Sequence, residues 1–268
     1  MTEIGAANVG DPKEWNAAAY HLVSEPQFAW GLRVLDRLTL SGNEVSLDAG
    51  CGSGRLTSEL AARLPRGSVV GCDLSENMAR AAVQTLTTRP RSGVVCADLS
   101  ALPFHASFDV IFSTATFHWI HDHDRLFGEL RGALRDGGRM EAQCGGGPNL
   151  AAIHARADSL ARELPFRSAF ESWEDPWHFA SPKDTTRRLE HAGFTSVSCW
   201  LEHAPTVFPD AEGFSAFLET VVMRPYLSRL SDPQHRQAFL QVLVAQASKD
   251  NPPFALDYWR LNMSAATM

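Results

Sequence analysis

An α/β fold, a doubly wound and mostly parallel seven-stranded sheet with a helical lid, follows from three observations. From about residue 44, short apolar runs alternate with longer helical stretches, the order that a parallel sheet requires. A glycine-rich turn, Asp48-Ala49-Gly50-Cys51-Gly52-Ser53-Gly54, lies directly between the first apolar run and the first helix after it. Aspartates then close three successive runs, at Asp48, Asp73 and Asp98.

Each element has its own local reason. Glu44–Asp48 reads as the first strand and 56–64 as the helix after the glycines. The second strand is Ser68–Asp73, followed by a helix from Glu76 that the Ser75 hydroxyl can cap. Gly93–Asp98 is the third strand and Phe108–Thr114 the fourth, with a helix over 124–134 that Gly137-Gly138 closes. Arg139–Gln143 begins the fifth. Beyond residue 148 the spacing predicts helices over 150–164, 184–191, 211–223 and 233–247, with strands at Thr195–Leu201 and Phe254–Leu261. Before the sheet, 14–40 reads as a helical extension broken at Pro26. The expected organisation is one domain with a lid: 1–40 an N-terminal helical extension, 41–147 an α/β core, and 148–268 lid helices with the final strands of the same sheet.

Composition narrows the function classes. A formal net charge of −7 without any basic stripe argues against nucleic acid as a partner. No apolar run reaches bilayer length and the first residues have no signal-peptide core, so no membrane association and a cytoplasmic location are expected. Five cysteines without paired spacing read as reduced, structural thiols. A small-molecule partner remains; oligomeric state is not encoded in any feature we identify.

The glycine loop carries the chemistry. Glycines let a backbone turn tightly and approach a ligand where a side chain would collide. Asp48, just before them, is placed to accept hydrogen bonds from a cationic amino group. Asp73, 25 residues on, offers two acceptor oxygens to ribose hydroxyls, and Asp98 stands where an adenine amino group would be met. A nicotinamide-dependent dehydrogenase would place its glycines as GxGxxG; here the third glycine comes one residue early.

Together these residues resemble the class I S-adenosylmethionine (SAM) dependent methyltransferases. The resemblance implies SAM as cofactor, with its amino-acid portion at Gly50, Gly52 and Gly54 and its ribose on Asp73. Leu74 and Met78 would flank the adenine, and Asp98 and Leu99 would lie at its edge. A narrower resemblance, to the trans-aconitate methyltransferases, rests on Trp15-Asn16-Ala17-Ala18-Ala19-Tyr20, on 115–123 with His118-Trp119-Ile120, and on Val222-Met223-Arg224-Pro225-Tyr226. Tyr20, Gln27 and the His118-Trp119-Ile120 segment are also similar to juvenile hormone acid methyltransferase. This likeness implies carboxylate methylation and places Gln27 near the methionine end of SAM. His118 stands where the trans-aconitate enzymes have Gln.

Individual side chains admit more than one role. His118 can act as a general base toward a hydroxyl, donate a hydrogen bond to a carboxylate, or simply pack. His118, His121 and His123 together suggest a metal, but no second ligand group accompanies them and no metal is expected. Phe166, Phe170, Trp173, Trp177 and Phe179 crowd one segment; Trp173 and Trp177 are candidates to face the acceptor beside Tyr20 and Trp119. Proline after Arg224 is expected to end a helix there and turn the guanidinium inward as a carboxylate or phosphate clamp. The readings that follow are O-methylation of a carboxylate, C-methylation of an isoprenoid or aromatic compound, or a SAM-binding protein without catalysis.

Overall fold

The structure, a computed structural model, describes Glu14, Trp15 and residues 25–268; Tyr20 lies outside the described residues. The chain forms two compact units, and among the described residues no helix is long and apolar enough to cross a membrane.

One unit holds the sheet. It begins with α1 (Glu25–Arg37), continues through β1 (Val45–Ala49), α2 (Arg55–Ala62), β2 (Ser68–Asp73), α3 (Glu76–Thr85), β3 (Ser92–Cys96), β4 (Phe108–Thr114), α4 (His123–Ala133) and β5 (Leu134–Gly145), and ends with α6 (Pro182–His191), β6 (Thr195–His203) and β9 (Trp259–Ala266). The strand order is β3-β2-β1-β4-β5-β9-β6. All pairings from β3 to β5 are parallel, while β9 runs antiparallel to both its neighbours. The expected doubly wound, mostly parallel seven-stranded sheet is therefore present. Chain progression reverses between β1 and β4, which opens a crevice at their carboxyl ends.

Strand periodicity divides the core. Val69, Val110 and Phe112 pack with Val34 and Leu35 of α1, with Leu38 just after it, and with Leu60 and Leu64. Their alternates, Val70, Cys72 and Ile111, pack with Leu126, Phe127 and Leu130 of α4 on the other face. The apolar stripe of α1, with Gln27, Trp30, Gly31, Val34 and Leu35 buried, has the i, i+3, i+4, i+7 spacing of a helix lying on a sheet. Gly31 permits the closest approach: a Cβ there would stand 2.2 Å from Leu56 Cδ1 of α2.

Several expected boundaries move, each for a local reason. Pro26 sits in the first turn of α1, where its missing N–H costs nothing. α4 ends at Ala133 and β5 starts at Leu134, so Gly137-Gly138 does not cap the helix. Those glycines occupy a bulge between the pairs Phe108–Leu134 and Val110–Arg139. The third strand stops at Cys96, and Asp98 instead accepts the Ser100 N–H at 2.8 Å in a turn. The final strand begins at Trp259 and runs to Ala266: Leu261, Met263 and Ala265 face the core while Arg260, Asn262 and Ser264 enter a polar network.

The second unit is helical. α5 (Ala151–Ala161), α7 (Ala211–Phe217), α8 (Arg224–Arg229) and α9 (Pro233–Ala247) accompany a two-stranded pair, β7 (Thr206–Val207) and β8 (Ala255–Leu256). Its core surrounds Tyr226, whose hydroxyl donates to Asp158 at 2.5 Å and whose ring meets Trp173 at 4.6 Å and Phe239 at 6.0 Å. α8 begins at Arg224, with Pro225 in its first turn; the expected helix end at Arg224 is a helix start.

The close seat of α1 on α2 yields a test. Gly31→Val should lower stability by about 1–3 kcal/mol through overpacking. Adding Leu56→Ala should recover part of that loss, giving a non-additive cycle by urea denaturation; strictly additive losses would place the strain elsewhere.

Candidate active site

The loop after β1 is built by three glycines in the left-handed region: Gly50 (φ 83°), Gly52 (φ 52°) and Gly54 (φ 82°). They serve different ends. At Gly50 a Cβ would stand 2.1 Å from Thr116 Oγ1, so the loop touches the turn after β4. At Gly52 a Cβ would meet none of the described residues within 4 Å, so among them this backbone borders open space. The Gly50 and Cys51 N–H groups both donate to the Cys72 carbonyl, at 2.8 and 2.9 Å, which fixes the loop to the end of β2.

Three acidic side chains differ in surroundings. Asp48 is buried, and its Oδ2 accepts from the Thr57 hydroxyl at 2.6 Å. Burial pushes its carboxyl up to about 7, opposed by the Thr57 hydrogen bond and reinforced by the neighbouring Asp73 charge. Asp73 accepts from the Gly52 N–H at 2.8 Å and the Ser75 N–H at 2.9 Å, so it braces the loop and the start of α3 together. Ser75 caps α3 as expected, accepting the Met78 N–H at 3.2 Å. Met78 and Leu99 are buried, whereas Leu74 is 45% exposed. Gln27 is buried on α1, and among the described residues its Oε1 has no hydrogen-bond partner.

A second constellation lies past β4, on the same unit. Phe117–Trp119 forms one 3-10 turn. His118 is buried, and its Nδ1 accepts the Gly145 N–H from the end of β5 at 3.3 Å. Phe179 stacks on the His118 ring (5.8 Å, 27°), Trp177 stacks on Phe179 (6.2 Å, 10°), and Trp177 lies 5.6 Å from Trp119. Gly145 allows this packing, since a Cβ there would stand 2.8 Å from Phe179 Cε1. His123 points elsewhere: buried, it bonds the Phe117 carbonyl through Nε2 at 3.0 Å, and burial lowers its pKa to about 4. Asp122 caps α4 through the Arg125 N–H.

Trp173 and Arg224 belong to the helical unit. Trp173 packs on Tyr226, and the Arg224 guanidinium covers the Trp15 ring at 4.5 Å while donating to the Glu14 carbonyl.

Comparison with known proteins places this arrangement. The family described as "Methyltransferase domain" matches residues 47–142. A malonyl-[acyl-carrier protein] O-methyltransferase of Geobacter sulfurreducens is 33% identical over 68% of this chain and 68% of its own. The chain belongs to the class I SAM-dependent methyltransferases. It is 28% identical to a trans-aconitate 2-methyltransferase of Deinococcus radiodurans over 89% of this chain and 92% of that one. An uncharacterized methyltransferase of Schizosaccharomyces pombe is 36% identical over 60% of this chain, which spans only 63% of the yeast protein. Among solved structures, a Haemonchus contortus phosphoethanolamine N-methyltransferase with S-adenosylhomocysteine aligns with a TM-score of 0.60 at 19% identity. That alignment covers 94% of this chain and 56% of the other.

S-adenosyl-L-methionine is the cofactor of this methyltransferase. Among the described residues three features fit it: the open space beside Gly52, the orphaned Gln27 Oε1, and a buried carboxyl group at Asp48 that a cation would compensate. Sequence reasoning missed Thr57 and Thr116. A threonine three residues past Gly54 was a readable signal for the first; the second depends on a contact across 66 positions.

The raised Asp48 carboxyl has a stability consequence. Its unfolded value near 3.8 lies below the folded value of about 7, so the native state holds the extra proton between them. Stability of the ligand-free methyltransferase should therefore fall as pH rises from about 4 to about 7. Asp48→Asn should raise the melting temperature by several degrees at pH 8 and leave it unchanged at pH 3.5. An equal effect at both pH values would show that burial of the charge is not the cause.

Proposed function

We propose that this methyltransferase O-methylates a carboxylate of a small molecule, with His118 as a hydrogen-bond donor to the acceptor. The carrying observation is the Gly145 N–H bonded to His118 Nδ1. A neutral imidazole that accepts at Nδ1 carries its proton on Nε2, so the remaining nitrogen donates. A donor suits an anionic acceptor, and a carboxylic acid is already ionised at neutral pH, so no base is required. The activities for which two relatives are named agree, since trans-aconitate and a malonyl thioester both carry carboxylates.

In this reading Asp48 holds the cofactor's ammonium, and the loop through Gly50, Gly52 and Gly54 cradles its amino-acid end beside Gln27. Asp73 binds the ribose hydroxyls; Leu74 and Met78 cover the adenine, with Asp98 and Leu99 at its edge. When bound, SAM supplies a methyl group on a cationic sulfur, open to direct displacement by a carboxylate oxygen. The Trp119, Trp177 and Phe179 rings favour a cation beside them and exclude water, which suits a reaction that brings opposite charges together. Trp173 and Arg224 stay outside this assignment, because each is engaged within the helical unit. A cytoplasmic location is part of the proposal.

Incubation with radiolabelled SAM and a panel of carboxylic acids, prenyl diphosphates and indoles tests it. Base-labile counts from an acid are expected; base-stable counts would replace the ester with a C-methyl product. With the acid identified, His118→Ala should lower kcat/KM about tenfold or more, the loss of one hydrogen bond to a charged group. The pH profile should keep its shape. A wild-type limb falling toward acid near neutrality, absent from His118→Ala, would make His118 a base and sink the donor role.

A further inference from the structure

The aromatic wall beside His118 is held from behind by a second layer of charged and titratable side chains. Residues 176–181 run along the 3-10 turn: the His178 N–H donates to the His118 carbonyl at 2.8 Å, and the Gly147 N–H donates to the Ala180 carbonyl at 3.0 Å. The ring contacts fix which way each side chain faces. Trp177 and Phe179 face His118 and Trp119, while His178 faces α4 and α6.

On that side, the His178 ring meets His123 edge-on at 4.5 Å, and its Nε2 lies 3.1 Å from Arg188 Nη1. A guanidinium only donates, so Nε2 accepts and neutral His178 carries its proton on Nδ1. Arg188, on α6, is also 3.6 Å from the Asp124 carboxylate in the first turn of α4. The link therefore ties two helices to the backbone segment that presents the two rings.

We propose that Arg188 and His178 form a positioning relay that holds Trp177 and Phe179 against His118 and Trp119. The proposal rests on the reading that this wall faces the acceptor. Neither residue is catalytic; both act through the rings.

The relay depends on a neutral His178. Protonation would set two cations 3.1 Å apart and turn the contact repulsive. The charged and titratable groups facing His178 are Arg188 and Asp184 from α6, His121 and His123 from the turn and start of α4, and Asp124 through Arg188. Burial first, then Arg188 and His121, lower its pKa, with Asp184 opposing. The link is thus intact at neutral pH and is lost as pH falls.

The test uses full-length protein labelled with 5-fluorotryptophan, with the Trp119 and Trp177 resonances assigned by Trp→Phe replacement. Arg188→Ala should shift the Trp177 resonance while SAM affinity by calorimetry stays within about twofold. Arg188→Lys, which keeps a donor, should restore part of the wild-type position. In wild type the Trp177 resonance should move with pH below the ordinary histidine range; in Arg188→Ala that midpoint should rise. With an acid that is turned over, Arg188→Ala should raise its KM about five- to tenfold with a smaller change in kcat. An unmoved Trp177 resonance in Arg188→Ala overturns the relay, as does a fall in SAM affinity in step with the rise in KM. Trp177→Ala separates the two readings. An unchanged acceptor KM there removes the acceptor wall, whereas a raised KM with no effect of Arg188→Ala removes the relay alone. If no acid is methylated, the fluorine resonances decide.

Discussion

The absence of a side chain at Gly50 is the constraint on which both halves of the site depend. Thr116 occupies the space that a Cβ would need, and its hydroxyl reaches the Gly50 carbonyl at 3.3 Å and the Thr114 carbonyl at 2.9 Å. Thr116 directly precedes the turn that carries His118 and Trp119. The proposed cofactor loop after β1 and the proposed acceptor turn after β4 are therefore one packed structure, and a shift in either displaces the other. Proximity of reactants is the main resource of a transfer that needs no base. A rigid joint between the two binding surfaces is how this chain would supply it.

Charge burial is distributed to the same end. Asp48 and His123 are both held in the interior against their ordinary ionisation, in opposite senses, each with one short hydrogen bond. Asp48 stands at the proposed cofactor side, where an incoming cation would compensate it. His123 stands behind the turn, where a neutral ring serves as a strut for Phe117 and His178. Burial alone does not distinguish a binding group from a brace; the position of the open space does.

Much of this was legible in the sequence because it is local. Strand ends, the glycine loop, the Ser75 cap and the doubly wound order each depend on residues a few positions apart. What escaped depends on distant partners. β9 could not be bounded because Arg260, Asn262 and Ser264 look unlike strand interior until Gln143, Arg37 and Glu141 are seen to receive them. The tautomer of His118 is set by Gly145, 27 positions away, and the ring of Arg224's choosing, Trp15, lies on the far side of the sequence. Pro225 was misplaced for another reason. A proline marks a helix boundary in either direction, and only the fold shows that this one opens a helix.

The place of β9 bears on how the chain reaches this state. It lies between β5 and β6, and β6 has no other neighbour in the sheet. Its pairing with β5 brings together residues such as Gln143 and Arg260, 117 positions apart. Such pairs raise contact order, and closing so long a loop must precede any gain from the strands it joins. β3, β2, β1, β4 and β5 can assemble from parallel units in sequence, but β6 must wait, with one edge unfilled, for a strand that comes after the whole helical unit. During synthesis that open edge is the surface most exposed to mispairing, and rapid folding of the intervening helices is what shortens the wait.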